Sequence, residues 1–366
     1  MPIRTDAGRA GLGTVAEVSD ADPTDTARAT SLLRLLTSIP GRRDDAIAIV
    51  NGLFGDALDE RESNLAIPAT LRVGSVALPL ERDGLADALA TANVTAGPKL
   101  CILVHGLMST ESIWRLPNRG PDERHGTYGT RLTRDHGVTT LTLRYNTGRH
   151  ISTNGRELAV LLDRLLRVWP VRVREINLIG HSMGGLVVRS ACHYGRRPFG
   201  RRLPIGRRWT TKVRRVVLIG VPNTGAGLEA LVNSASASLG SIPGPARLLV
   251  RGLDRRSAGI KDLRFGAILD EDWIDADPAA RERTHPHRPL KLRRARYLVI
   301  AGTITTDPEH PIARSIGDAL VTHTSAAGVV DDGELFRNAT TRVFPRVGHI
   351  RLAHHPDIDD AITSWW

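Results

Sequence analysis

The spacing of apolar positions divides the chain near residue 95. Before it, "DPTDTARATSLLRLLTSI" and "RRDDAIAIVNGLFGDALDE" carry apolar residues at helical spacing, and each predicts a helix. The segment "IPATLRVGSVALPLE" predicts two short strands joined at Gly74. The pattern therefore indicates an N-terminal helical extension with leading short strands over residues 1–95, followed by a second region over residues 96–366.

From residue 99 onward, apolar runs without alternation recur, which is typical of strands covered on both faces. Helical patterns, among them "GRELAVLLDRLLRVW" and "GGLVVRSACHY", lie between several of these runs. Strands that alternate with helices predict a mostly parallel central sheet with right-handed crossovers and flanking helices. The runs are "KLCILVHG", "VTTLTLRYN", "EINLIGHS", "VRRVVLIGVP", "ARYLVIAG" and "TTRVFPRVGH".

Residues 222–290 interrupt this alternation. They contain no clear strand, and three segments predict short helices that are rich in small and apolar residues. These segments are "GLEALVNSASASLG", "GPARLLVRGL" and "SAGIKDLRFGAILDEDW". Because the interruption falls between two strands of the predicted sheet, we expect it to form a helical cap over an active site.

Length and composition fit a globular protein of 366 residues, of which 41% are hydrophobic. No apolar run approaches the ~20 residues that a membrane helix needs, and the N-terminus lacks the apolar stretch of a secretory signal. These features predict a cytoplasmic protein. Cys101 lies in an apolar strand pattern and Cys192 in an apolar helix pattern, so we expect both to be buried and unpaired.

The formal net charge is +11, and most of the positive charge comes from arginine. The densest cluster, Gly195 to Arg215, is interrupted by Gly and Pro and matches no nucleic-acid-binding motif. We interpret it as a solvated loop and expect no nucleic-acid partner. Peripheral contact with an anionic lipid surface stays an open alternative.

The segment Gly180-His181-Ser182-Met183-Gly184 is the first candidate for chemistry. An apolar strand leads into it and a helical pattern leads out, which predicts a sharp turn that exposes the serine hydroxyl above the sheet. Glycines two residues before and two after leave room for the turn. A serine so placed at a helix N-terminus is suited to be a nucleophile, provided that a base and an orienting acid are close.

In this topology the acid and then the histidine follow the serine along the chain. Asp318 is the preferred acid, and Asp307, which precedes a proline, is the fallback. His349 comes directly after the last predicted strand and is the preferred base. His354 and His355 immediately precede a predicted helix, so we expect them to be surface or capping residues.

A tetrahedral intermediate also needs donors for its oxyanion. The backbone N–H of Met183 is one candidate, because it follows the serine directly. The N–H of Leu107 is the second, because "CILVHGLMST" places it after an early strand and Gly106. We expect the neighbouring His105 and His181 to be packing residues.

Together these motifs resemble the α/β-hydrolase superfamily, and more narrowly its bacterial triacylglycerol lipases and serine esterases. The resemblance covers about residues 99 to 366 and rests on "LVHGLMS", "LIGHSMGGLVVRS", "LIGVPNTGAGLE", "GDALVTHTSA" and "VGHIRLAHHPDI". It implies an α/β-hydrolase catalytic domain over residues 96–366. It also implies that Ser182 is the nucleophile, Asp318 the acid, His349 the base, and Leu107 and Met183 the oxyanion donors.

The chain departs from the pattern of these lipases at two places. Where they carry a histidine in Thr-Pro-His-x-Gly, this chain has Asn223 in Val-Pro-Asn-Thr-Gly. Their acid lies in Gly-Asp-Gly, whereas here Ala319 follows Asp318. Several such lipases bind calcium, but the acidic segment 331–334 lacks the ligand spacing of a calcium loop, so we expect a solvated turn and no metal.

The sequence thus predicts an esterase or lipase that cleaves carboxylic esters through an acyl-enzyme, without a cofactor. The apolar character of residues 222–290 favours a small-molecule ester with an apolar acyl chain. Three alternatives remain. A thioesterase or acyltransferase would use the same triad, a catalytically silent relative would bind lipid or a partner, and a basic protein would bind surfaces through its charge.

Overall fold

A computed structural model describes residues 23–37, 43–116, 126–196, 209–226, 257–274 and 291–306 and, with gaps, residues 318–366. Ten strands lie in this part of the chain. They are β1 (Thr70–Val73), β2 (Val76–Ala77), β3 (Lys99–Val104), β4 (Thr139–Arg144), β5 (Glu175–His181), β6 (Val213–Ile219), β7 (Arg296–Thr303), β8 (Val329–Val330), β9 (Gly333–Glu334) and β10 (Thr340–Pro345).

Eight of these strands form one sheet, in the order β10-β7-β6-β5-β3-β4-β1-β2. All neighbours from β10 to β4 are parallel, whereas β1 pairs antiparallel with both β4 and β2. Each of the six apolar runs therefore forms one strand of the parallel part, as predicted. Strands β8 and β9 form a separate antiparallel pair.

In the central strands β3, β5, β6 and β7 the absence of alternation has a direct cause, because the sheet has a hydrophobic core on each face. In β3, Leu100, Ile102 and Val104 join one core, whereas Cys101 and Leu103 join the other. A strand covered on both sides has no position at which a polar residue would reach water.

Eight α-helices lie in the described residues. They are α1 (Pro23–Thr37), α2 (Arg43–Glu60), α3 (Arg82–Thr91), α4 (Tyr128–His136), α5 (Ile151–Val168), α6 (Met183–Tyr194), α7 (Ala258–Phe265) and α8 (Pro356–Trp365). Leu158, Leu162 and Leu165 of α5 are fully buried at helical spacing. Burying each stabilises the fold by roughly 1.5–3 kcal/mol.

The apolar pattern does not predict α3 or α4. Helix α4 buries only Tyr128, Gly129 and Leu132, which is too little for a periodic signal. Local hydrogen bonds delimit it instead: Thr127 and Thr130 form a reciprocal capping box at its start, and Gly137 ends it with a φ of 62°.

Residues on both sides of position 95 contribute to the same sheet. Strand β1 pairs with β4, where Leu71 lies opposite Leu143, so the leading short strands form an edge of the central sheet. Gly74, with a φ of 56°, joins them as predicted. The division of the chain at residue 95 itself stays a prediction.

The predicted cap is described only in part. Helix α7 and a 3-10 turn at Asp270–Asp272 lie within its third helical segment. The other two segments fall outside the described residues, as do residues 197–208 of the arginine-rich cluster. In the described chain no helix is both long enough and apolar enough to cross a membrane. Cys101 and Cys192 are buried and free, as predicted.

Candidate active site

Ser182 lies at the turn between β5 and α6. Its backbone has a φ of 55° and a ψ of −130°, a conformation that residues other than glycine rarely adopt. A Cβ on Gly184 would overlap the Val104 and His105 carbonyl oxygens, and a Cβ on Gly180 would lie 2.5 Å from Gly185 Cα. The two glycines therefore allow the strand, turn and helix to approach as closely as the sequence motif predicts.

Asp318 and His349 form a buried hydrogen-bonded pair. His349 Nδ1 donates to Asp318 Oδ2 at 2.8 Å, and the two side chains are 7% and 1% exposed. The backbone N–H of His349 donates to the Asp318 carbonyl at 3.0 Å, and Asp318 Oδ1 accepts from the Val321 N–H at 2.8 Å. Besides the bond between the two side chains, a backbone hydrogen bond therefore fixes His349 and another fixes the Asp318 carboxylate.

Three contacts bring this pair to the edge of the sheet where Ser182 lies. The Ser182 N–H donates to the Ile219 carbonyl at 2.9 Å. A Cβ on the next residue, Gly220, would lie 3.2 Å from Asp318 Oδ2 and 3.3 Å from the His349 ring. His181 Nε2 donates to the His349 carbonyl at 3.0 Å. Ser182, Asp318 and His349 therefore gather at the carboxyl ends of the parallel strands.

No hydrogen bond joins Ser182 Oγ to His349 in this structure. His349 Nε2 is buried and has no hydrogen-bond partner among the described residues. Hydrogen bonds between a nucleophile and its base are often long or poorly aligned before substrate binds.

The β3 loop (residues 105–110) runs alongside Ser182. A Cβ on Gly106 would lie 2.9 Å from Ser182 Cβ and 3.4 Å from its Oγ. Leu107 follows in this loop, and the next residue, Met108, has a φ of 54°. Met183 is the first residue of α6, and the first amides of a helix have no acceptor within the helix. Both candidate oxyanion donors therefore border the serine.

A sequence model of the alpha/beta hydrolase family matches residues 101–358, which is well over half of the chain. The chain belongs to the α/β-hydrolase family. Its eight-stranded, mostly parallel sheet with flanking helices is the fold that the motifs predicted. A search of curated proteins finds no match.

Among solved structures, the α/β-hydrolase described here is similar to several bacterial lipases and esterases. Lipase BlEst2 of Bacillus licheniformis in its mature form is 18% identical, with 74% of this chain and 92% of that chain covered and a TM-score of 0.44. Carboxylesterase CesB of Bacillus subtilis is 14% identical over 73% and 82%, with a TM-score of 0.40. Naproxen esterase of Bacillus subtilis is 13% identical over 73% and 83%, with a TM-score of 0.38.

The other candidate residues of this α/β-hydrolase are placed as follows. His355 Nδ1 accepts the Asp357 N–H and so caps α8, as expected, whereas His354 is half-buried and its Nδ1 donates to the Ile113 carbonyl at 3.2 Å. Asn223 Oδ1 accepts from Arg189 at 3.0 Å. Asp307 and residues 331–332 lie outside the described chain. Within it, no cluster of His, Cys, Asp or Glu could hold a metal ion.

A cavity of about 960 Å³ lies away from these residues, and none of Ser182, Asp318 and His349 lines it. Its wall includes threonines of β4 and α4 and the ion pair between Arg144 and Glu111. Because the cavity is separate from the candidate catalytic residues, we do not assign the substrate to it.

Two buried histidines flank the candidate nucleophile. Burial lowers the pKa of His105 from 6.5 to about 4, although its hydrogen bond to the Gly106 carbonyl opposes the shift. Burial also lowers the pKa of His181 well below its usual value, and the charge on a protonated His349 acts in the same direction. His105 stacks on Tyr145 at 4.6 Å between ring centroids. Both packing residues are therefore expected to be neutral at pH 7.

We expect the free energy of unfolding to fall as the pH drops from 6.5 to 4. In that range the histidine binds a proton in the unfolded chain but not in the folded one, where it is buried, so acid favours unfolding. His105 alone is expected to lower the free energy of unfolding by roughly 3 kcal/mol. Urea denaturation at several pH values measures it. His105→Asn, which can still donate to the Gly106 carbonyl, should show a shallower pH dependence, and an identical slope in both proteins would contradict the assignment.

Proposed function

We propose that this α/β-hydrolase cleaves carboxylic esters, with Ser182 as nucleophile, His349 as base and Asp318 as the orienting acid. One observation carries the proposal. A buried His349–Asp318 pair, joined at 2.8 Å, keeps its outer ring nitrogen Nε2 without a partner at the sheet edge where the strained Ser182 turn lies. Buried His105 and His181 also leave one ring nitrogen unpaired, but their other nitrogen meets a backbone carbonyl, whereas that of His349 meets a carboxylate.

In the first step Ser182 Oγ attacks the ester carbonyl carbon while His349 Nε2 takes the hydroxyl proton. The hydrogen bond from Nδ1 to Asp318 keeps the proton on Nδ1, so that Nε2 is the basic nitrogen. The imidazolium that forms is stabilised by the carboxylate and then gives its proton to the leaving alcohol. An acyl-enzyme on Ser182 remains.

The oxyanion of the tetrahedral intermediate accepts hydrogen bonds from the N–H groups of Leu107 and Met183 in this proposal. The N–H of Met108 is already engaged, because it donates to Thr147 Oγ1 at 3.2 Å, which favours Leu107 as the donor from the β3 loop. The N-terminus of α6 adds a favourable dipole for negative charge. Water activated by His349 then attacks the acyl carbon and releases the acid.

An ester with an apolar acyl chain is the proposed substrate. Buried apolar residues lie in the segments that border the serine, among them Leu107 and Met108 of the β3 loop and Met183 at the start of α6. Burying each methylene of an acyl chain contributes about 0.8 kcal/mol, so chain length should affect binding strongly.

A fluorophosphonate probe and a p-nitrophenyl ester series test this function. We expect one covalent adduct per chain, located on Ser182 by peptide mass spectrometry, and kcat/KM that rises from acetate toward longer acyl esters. A jump in rate when the ester aggregates would indicate lipase behaviour, and its absence an esterase. Acyl-CoA and a competing alcohol distinguish a thioesterase or acyltransferase. An unlabelled Ser182 would contradict the proposal and favour a catalytically silent relative.

A further inference from the structure

Helix α2 carries two glycines in its interior, Gly52 and Gly55. Glycine is among the least favourable residues in a helix, so two in one helix call for a structural reason. The structure supplies one, because another segment of the chain approaches each of them closely. A Cβ on Gly52 would overlap Met108 Cγ and lie 3.3 Å from Met108 Cα, and a Cβ on Gly55 would overlap Asn146 Oδ1.

Met108 belongs to the β3 loop and directly follows the proposed oxyanion donor, Leu107. Its positive φ means that the loop makes a strained turn at this residue. Its N–H donates to Thr147 Oγ1 at 3.2 Å, and Met108 itself is only 5% exposed. The path of the loop therefore depends on what packs against the Met108 side chain, and Gly52 is in contact with it.

The second support of the β3 loop, the β4 loop (residues 145–150), rests on the same helix. Asn146 Nδ2 donates to the Gly55 carbonyl at 2.8 Å. A Cβ on Gly148 would lie 2.6 Å from the Gly55 N atom. Thr147, which accepts the Met108 N–H, lies between these two contacts. Helix α2 therefore contacts the β3 loop directly and holds its hydrogen-bond acceptor in place.

The same turn of α2 also fixes the start of α7, which lies in the cap segment. Ser257 Oγ donates to the Gly52 carbonyl at 2.7 Å, and the Ala258 N–H donates to Asp56 Oδ2 at 2.8 Å. Gly52 therefore touches the β3 loop on one side and accepts a hydrogen bond from the cap segment on the other.

We propose that Gly52 is a positioning residue for the oxyanion donor Leu107, acting through the side chain of Met108; this inference rests on the proposed ester hydrolysis. Helix α2 lies outside the segment 101–358 that the family model matches. In this proposal an element that precedes the matched segment helps to form the site, and the absence of a side chain at residue 52 sets the distance between the helix and the β3 loop.

Gly52→Ala tests the inference, because alanine favours the helix but pushes on Met108. A displacement of the donor near 1 Å is expected to lower kcat by about 100-fold. KM should stay within about threefold, because the ground-state ester does not depend on the oxyanion donors. A trifluoromethyl ketone, which mimics the tetrahedral intermediate, should bind more weakly by a similar factor.

Two further variants separate positioning from general destabilisation. Gly84→Ala in α3 is the matched control, since its Cβ would lie 2.9 Å from Pro79 Cγ and contact no residue of the site. It should leave kcat unchanged. In a Met108→Ala background, which lacks the overlapping Cγ, adding Gly52→Ala should lower kcat by less than about threefold. An undiminished 100-fold loss in that background would overturn the role of Met108.

Hydrogen exchange gives a readout that needs no activity. Amides of the β3 loop should exchange at least about tenfold faster in Gly52→Ala than in the wild type, and at the wild-type rate in Gly84→Ala. Unchanged exchange together with unchanged kcat in Gly52→Ala would overturn this inference alone. Full hydrolysis by Ser182→Ala would instead overturn the proposed function. Hydrogen exchange in Gly52→Ala would still decide whether Gly52 positions the β3 loop.

Discussion

Ser182→Ala is expected to lower kcat/KM for p-nitrophenyl butyrate by about 10⁵- to 10⁶-fold, the loss seen when the nucleophile of a triad is removed. The variant removes only a hydroxyl group, so the sheet and the turn should persist; the strained φ of 55° remains. Burst kinetics and covalent labelling should disappear together, because both require the Ser182 oxygen. Steady-state hydrolysis with a purified, folded variant measures the loss.

Ser190→Ala is the matched control for this variant. Ser190 lies on the same helix, α6, is fully buried, and its Oγ donates to the Ile268 carbonyl at 2.7 Å. Removing the donor leaves a buried carbonyl unpaired, which costs about 1–3 kcal/mol of stability. We expect a lower midpoint of unfolding and an unchanged kcat. Ester hydrolysis by Ser182→Ala within tenfold of the wild type would refute the assignment of the nucleophile.

Asp318→Asn is expected to lower kcat by about 10⁴-fold with little change in the fold. The Val321 N–H, which donates to Asp318 Oδ1 at 2.8 Å, would hold the amide oxygen at that position. The amide NH₂ would then face His349 Nδ1 as a donor, where the carboxylate oxygen now accepts. The proton of His349 would move to Nε2, and that nitrogen could no longer accept the proton of Ser182.

A second His–Asp pair, whose carboxylate is buried and whose histidine is 26% exposed, provides the control for Asp318→Asn. His150 Nδ1 donates to Asp262 Oδ2 at 3.0 Å, and Asp262 is 1% exposed, as Asp318 is. Unlike the His349 ring, the His150 ring stacks on Trp273. Asp262→Asn should therefore reduce stability but keep kcat within about threefold. Equal losses of kcat in the two variants would show that the effect of Asp318→Asn is structural.

The sequence predicted the turn around Ser182 because its signals are local. A strand pattern, two glycines at fixed spacing and a helix pattern lie within a few residues, and the structure shows the close approaches that these glycines allow. The contact between Asp318 and His349 spans 31 positions of the chain, yet it was also expected. Parallel strands bring their carboxyl ends to one edge, so polar residues that follow different strands meet there.

Other features lacked such a signal. Helix α4 buries few residues and depends on its capping box, so its pattern does not differ from that of a polar loop. The leading strands at residues 70–77 were recognised as strands, but their alternation does not indicate that β1 pairs with β4. The pattern of a strand indicates which of its faces is buried, but not which other strand pairs with it.

The order of residues was sufficient for the α/β-hydrolase fold, for the strained turn at Ser182 and for the edge of the sheet where polar side chains collect. The fold follows from hydrophobic periodicity, the turn from glycine spacing and the sheet edge from the common direction of parallel strands, and each of these can be read from the sequence. The arrangement around Met108 arises only through packing. The two glycines of α2 are unremarkable in the sequence, because their role depends on which residues they meet, and those residues lie more than fifty positions further along the chain.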